Sequence, residues 1–439
     1  MEEKHNQETT DFMKETIKQR PLNRKKLIRR TLITAAMAVI FGTVACLTFL
    51  LLEPVISNRL YPEEEPSTVV FVEETEENEI LPEDMIADDS QMNPEPTDPP
   101  VLEDEQIAQV LSEMKLGVED YGSLYGALSE VAKDVQKSMV TVVGVTSDVD
   151  WFNNAYENEG VSSGVIVADN GKELLILANI NTIKDADSLR ITFADNKKYA
   201  AALKRKDNNT GLAVLAVLKT DIQKSTLDAV KTVSLGTSAG SNMTGTPIIA
   251  VGQPIGAANS FCYGFITSIG SSINLPDSAY KWIATDIYGS KNATGVLVNL
   301  RGQVIGIIDT ANNNGDIPNL IGAIGITELK KVIERLSNDK DIAYLGIHGA
   351  DVTAQANEEL GVPYGAYIME IDMDSPAMEA GIQSGDVIIR LGEMEINTYS
   401  ELVKCLTESE PAYTISIGLL RQGPEGYAEM ELDVVLSIK

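Results

Sequence analysis

At 439 residues, 44% of them hydrophobic, the chain has room for two or three domains, each able to bury a core of its own. Its formal net charge of −30 sets it against direct binding to DNA or RNA, and no nucleic-acid partner is expected. The three cysteines, Cys46, Cys262 and Cys405, share no metal-ligand or redox spacing, so no metal, no cofactor and no disulfide framework is expected.

Residues 1–30 form a basic tail that ends on Arg24, Lys25, Lys26, Arg29 and Arg30. From Thr31 to Leu52 no residue is charged. As a helix that run is ~33 Å long, against a hydrocarbon core of about 30 Å. With the basic residues before it and acidic ones after, the positive-inside rule predicts a single-pass transmembrane helix over 31–52, with a cytoplasmic N-terminus and the main domains outside. A cleaved signal peptide is the rival reading, although its apolar region is usually shorter.

Residues 53–103 are acidic and proline-rich, with no Lys or Arg between Arg59 and Lys115. Such a segment buries too little apolar surface to offset its ordering entropy, which predicts an extended, disordered linker. An acidic docking site for a basic partner is the functional alternative. Over 104–121 a three- and four-residue apolar spacing (Ile107, Val110, Leu111, Met114) predicts a helical stalk. The spacing resumes at Leu124, Leu128, Val131 and Val135, with a break expected at Gly122. From Met139 onward, short β-rich runs separated by turn residues over about 190 residues predict a β-barrel or sandwich.

Five of these runs, in order, resemble the HtrA family of trypsin-like serine proteases. Ser162-Ser163-Gly164-Val165-Ile166-Val167 is similar to the family's SGSGVII strand, and Leu177-Ala178-Asn179-Ile180-Asn181-Thr182-Ile183 to its LTNNHVV stretch. The run from Asp207 to Leu215 resembles D-x-x-TDLAVL, and Val251-Gly252-Gln253-Pro254-Ile255-Gly256 the GNPLG turn. Asn292 to Ile307 resembles NSGGPLVNLRGEVIGI. Beyond a connecting helix (Leu329, Val332, Ile333, Leu336), Tyr344-Leu345-Gly346-Ile347, Ser375-Pro376-Ala377 and Ser384-Gly385-Asp386-Val387-Ile388 resemble the PDZ domain that follows the protease in this family. The resemblance implies a mainly β chain: a trypsin-like double β-barrel over 122–338, then an α/β PDZ domain over 339–439. It also implies a bacterial-envelope setting in protein quality control and a homo-oligomer, a trimer by family habit.

Carried over one position at a time, the family's histidine falls on Asn181, its aspartate on Gly211 and its serine on Ala293. None of the three can act in the triad, and loss of the serine or histidine alone costs on the order of 10⁶ in kcat. Realignment supplies no substitute, since the only histidines are His5 and His348, both outside the barrels. Where the family has an oxyanion-hole glycine, this chain has Lys291. The expectation is therefore a catalytically degenerate member, a pseudoprotease. The alternative is an active envelope endopeptidase with non-standard residues, for which Ser290 and Lys291 form the candidate dyad.

By the same resemblance, Tyr344, Leu345, Gly346 and Ile347 form the loop whose amides take the terminal carboxylate of a peptide or unfolded protein, the peptide adding as a strand. The opposing expectation is a groove that is blocked, empty or packed on the barrel. His348, beside the loop, reads as a groove-wall or surface residue before a pH sensor.

Overall fold

The structure is a computed structural model that describes residues 29, 32–48, 66–71, 117–149, 155–180, 186–240, 242–273, 275–311 and 319–439. The chain divides into two units, Met1–Glu65 and Pro66–Lys439. In the first, residues 32–48 are helical and exposed, while 31 and 49–52 of the expected span lie outside the described residues. Among the described residues no helix is long and apolar enough to cross a membrane.

Helix α1 (Val118–Gln136) corrects the break expected at Gly122 by running through it without interruption. A mid-helix glycine costs only about 1 kcal/mol relative to alanine. The helix recovers that by burying Ala132 and Val135 and by packing Leu128 and Val131 on the barrel core. At its start, Asp120 accepts a hydrogen bond from the Gly117 amide at 2.7 Å. Residues 104–116 of the expected stalk are outside the described residues.

Six strands then close a first barrel: Met139–Val149 (β1), Ala155–Asp169 (β2), Glu173–Asn179 (β3), Ser188–Thr192 (β4), Lys198–Lys206 (β5) and Leu212–Leu218 (β6). Six more close a second: Pro247–Gln253 (β7), Ser260–Ser272 (β8), Lys281–Tyr288 (β9), Thr294–Val298 (β10), Val304–Ile308 (β11) and Leu320–Gly325 (β12). The spatial orders are β1-β2-β3-β6-β5-β4 and, read from β7, β7-β8-β9-β12-β11-β10, one topology used twice. The unbroken apolar run of β6 follows from burial on both faces. Ala213, Leu215 and Val217 point into the first barrel. Leu212, Val214 and Ala216 face the shared core, where Val251, Val296 and Val298 of the second barrel also sit. Helix α2 (Ile326–Ser337) covers that core with Ile326, Leu329, Val332, Ile333 and Leu336, the helical period the sequence carries there.

One stretch of the acidic segment departs from the expected spacer. Residues 66–71 lie against the first barrel and the end of α2: the Ser67 amide donates to Asn170 O at 2.9 Å, and Val69 is buried in the shared core. The Asn338 side chain clips Val69 at both polar atoms, accepting from its amide at 2.8 Å and donating to its carbonyl at 2.7 Å. The signal was present as Val69, Val70 and Phe71, an apolar cluster inside an acidic run. Asn338→Ala removes both bonds, a loss of about 1–3 kcal/mol of docking. The Val69 amide is then expected to exchange hydrogen roughly 5–150-fold faster, with barrel-core amides unchanged. Equal exchange in variant and wild type would show that the clip holds nothing.

The last hundred residues form a PDZ-like unit. Ala343–Tyr344 (β13) pairs with the terminal strand Ser437–Ile438 (β20). Ile347–Asp351 (β14), Ala366–Ile371 (β15), Val387–Leu391 (β16), Thr414–Gly423 (β18) and Gly426–Val435 (β19) make one sheet, with Met394–Glu395 (β17) beside β16. In this sheet β14 is an edge, paired with β15 on one side. Helix α3 (Tyr399–Glu408) closes the core with Tyr399, Leu402 and Leu406.

Candidate functional site

The sequence offers two sites, one between the barrels and one on the PDZ loop. The first is set by close backbone approach. Strands β7 and β10 pair with Gly252 opposite Gly295, and a Cβ on Gly252 would lie 2.8 Å from Gly295 Cα. Across the barrels the Ser163 amide donates to Thr294 Oγ1 at 2.9 Å, and that hydroxyl donates to Gln253 Oε1 at 3.2 Å. The loop Gly289–Ala293 is thereby held at the barrel junction.

Ala293 is 2% exposed and belongs to the apolar core of the second barrel. Its amide donates to Ser290 O at 3.0 Å, and the Ser290 amide donates to Pro254 O at 2.8 Å. A trypsin-like oxyanion hole needs the amide at the serine position to face the substrate. Here that amide is spent inside the turn. The Ser290 hydroxyl accepts from the Asn292 amide at 3.2 Å, and Lys291 is exposed, without the burial that a lysine base requires. Gly211 follows a tight turn, its amide donating to Asp207 O at 3.0 Å and its carbonyl accepting from Ile180 N at 2.9 Å. The fold thus brings position 211 beside the residue preceding 181. Asn181 itself lies outside the described residues. The carboxylate nearest in sequence, Asp207, is buried and accepts from Thr210 Oγ1 at 2.7 Å and the Asn209 amide at 3.1 Å, which commits it to its own loop.

The second site is built and filled. Three successive amides converge on the Asp277 carboxylate, which sits on the loop between β8 and β9. Leu345 N donates to Oδ2 at 2.8 Å, Gly346 N to Oδ2 at 2.9 Å and Oδ1 at 3.1 Å, and Ile347 N to Oδ1 at 3.1 Å. Gly346 makes the turn possible with φ +82°, and a Cβ there would stand 2.3 Å from Ser375 Cβ. Leu345 and Ile347 anchor the loop from below as fully buried core residues. Tyr344, the first of the four residues expected to bind a carboxylate, serves differently: its hydroxyl donates to Asp372 Oδ2 at 2.6 Å. His348 Nε2 lies 2.9 Å from Asp372 Oδ1. Burial pushes the Asp277 carboxyl above the usual carboxylate range, against the pull of Lys439 and the three amides. At Asp372 burial acts the same way, but hydrogen bonds from Tyr344 and His348 win and hold its carboxyl below the usual range. Sequence reasoning missed Asp277, which carries no motif and meets the loop only through the tertiary fold.

Comparison with known proteins agrees with this architecture. Residues 162–307 match the trypsin-like peptidase domain family, and residues 343–432 match the PDZ domain family. Over 274 residues the chain is 29% identical to a probable periplasmic serine endoprotease, DegP-like, of Halomonas elongata. It carries a trypsin-like peptidase domain and a PDZ domain, and it has relatives of the HtrA type. The chain is also 26% identical over 333 residues to the serine protease Do-like HtrA of Bacillus subtilis, covering 70% of its own length and 72% of the relative's. It spans 55% of the length of the Halomonas relative, with 61% of its own length in the match. The solved HtrA-type protease AlgW with a decapeptide shares the fold at 22% identity and a TM-score of 0.51, over 71% of this chain and 98% of that one. Those relatives are named as proteases.

Proposed function

We propose that this HtrA-type chain is a membrane-anchored pseudoprotease that acts outside the cytoplasm by binding polypeptide C-termini through its PDZ domain. The observation that carries the reading is at position 293, where the side chain has no oxygen and the amide is bonded to Ser290 O at 3.0 Å. Both the nucleophile and one oxyanion donor are therefore missing from the same residue. Two further observations support it. No histidine occurs between His5 and His348, so no imidazole is available within either barrel to take a hydroxyl proton. On the PDZ side, the amides of Leu345, Gly346 and Ile347 converge on a carboxylate, the group that ends every polypeptide.

Anchoring is proposed from the uncharged run at 31–52 and its flanking charge asymmetry. The test uses the full chain in detergent micelles, incubated with unfolded casein and with a fluorophosphonate probe. Casein is expected to stay intact and the protein unlabelled. Labelling that disappears in Ser290→Ala would replace this reading with an active endopeptidase using a serine outside the triad position.

A further inference from the structure

Asp277 does more at the PDZ loop than lend a carboxylate. Its own amide donates to the Ile347 carbonyl at 2.8 Å, on the free edge of β14. A peptide captured by strand addition makes the same pair of contacts with its last residue, carboxylate to the convergent amides and N–H to the strand edge. Asp277 thus stands where the terminal residue of a bound polypeptide would stand. It comes from the second barrel, not from the PDZ unit. It is 3% exposed, so while it is there the amides are closed to any other carboxylate.

The loop that carries Asp277 is tied on both sides. Asn209, in the turn that contains Gly211, donates from Nδ2 to Pro276 O at 3.1 Å. Lys439 donates from Nζ to Asp277 O at 3.1 Å. Two features weaken this closure. Asp277 has φ +49°, a left-handed conformation that L side chains adopt at a cost. Burial also raises its pKa, so the anion is incompletely compensated where it sits. An occupant under backbone and electrostatic strain is one that a better-placed carboxylate can displace.

We propose that Asp277 is an intramolecular ligand of the PDZ carboxylate loop, and that a partner polypeptide binds by its C-terminal carboxylate only after displacing Asp277 and the barrel loop that carries it. This rests on the reading of the loop as a C-terminus binder and adds its regulation. Tethered in the same chain, Asp277 competes at a high effective concentration, so the apparent affinity for any peptide is lowered by the fraction of molecules in which the loop is closed. Displacement frees Pro276 from its place, and the Asn209 contact carries that change to the turn at Asp207–Gly211.

The experiment uses the full chain in detergent micelles and a fluorescein-labelled pool of random decapeptides with free C-termini, with the same pool amidated as control. Asp277→Ala and Asp277→Asn are expected to bind the free pool at least tenfold more tightly than wild type, and no form binds the amidated pool. If wild type and both variants bind the free pool equally, the intramolecular ligand is disproved while C-terminus binding stands. If no form shows carboxylate-dependent binding, the C-terminus reading fails. Hydrogen exchange then decides the ligand: the amides of Leu345, Gly346 and Ile347 must exchange at least tenfold faster in Asp277→Ala, with Leu419 in the PDZ core unchanged. Equal exchange overturns it. A wild-type arm needs no variant to fold, since saturating free pool must speed exchange at the Asp277 amide. Bound peptide with that amide still protected also overturns the proposal.

Discussion

Rebuilding the triad as Asn181→His, Gly211→Asp and Ala293→Ser will not by itself restore peptidase activity to the level of an intact site. The serine would arrive on a residue whose amide is already bonded to Ser290 O at 3.0 Å, two residues after Lys291 where an oxyanion-hole glycine is needed. Loss of one oxyanion donor costs about 10²–10³ in kcat even when every triad member is present. Adding Lys291→Gly lets the Ser290–Ala293 turn reorient and is expected to raise the rate of the triple variant by that factor. The measurement is casein hydrolysis and fluorophosphonate labelling by the triple and quadruple variants side by side. A triple variant as fast as the quadruple would show that the closed turn does not limit catalysis.

Gly346→Ala is expected to disable the PDZ loop outright. The left-handed backbone at φ +82° costs an L residue about 1–2 kcal/mol, and the new methyl would stand 2.3 Å from Ser375 Cβ. Overpacking of that kind adds about 1–3 kcal/mol, so the PDZ unit loses roughly 2–5 kcal/mol. Gly385→Ala separates the two contributions, because Gly385 has φ +92° with open space where its Cβ would go. Urea unfolding followed through PDZ core amides should therefore place Gly385→Ala between wild type and Gly346→Ala. Gly346→Ala should in addition lose protection at the amides of Leu345 and Ile347. Equal losses in both variants would mean that contact with Ser375 is relieved at no cost.

Much of this fold was legible because its signals are local. Short β-rich runs between turn residues, the helical spacing of α2 and five collinear motifs placed two barrels and a PDZ domain in the right order. Those motifs also located Gly211 and Ala293, since a substitution in a recognisable run is visible as such. What escaped was long-range. Asp277 reaches the PDZ loop across some seventy residues, and no periodicity in a short polar loop marks an aspartate as another domain's ligand. Gly122 reads as a stop in the sequence because its cost is local while the packing that outweighs it, at Leu128, Val131 and Val135, lies further along α1. Composition likewise hid the docking of 66–71: a strongly acidic average conceals a short apolar cluster that Asn338 and the barrel can use.

The Asn338 clip also changes how far the folded part can stray. A spacer free as far as α1 would give residues 53–116 a contour of about 220 Å from the end of the apolar run at Leu52. With Val69 pinned, the lead from that run to the folded unit shrinks to residues 53–65, about 45 Å at full stretch. Release of 66–71 would lengthen that lead nearly fivefold, so the Asn338 clip helps to set how much chain separates the apolar run from the folded unit.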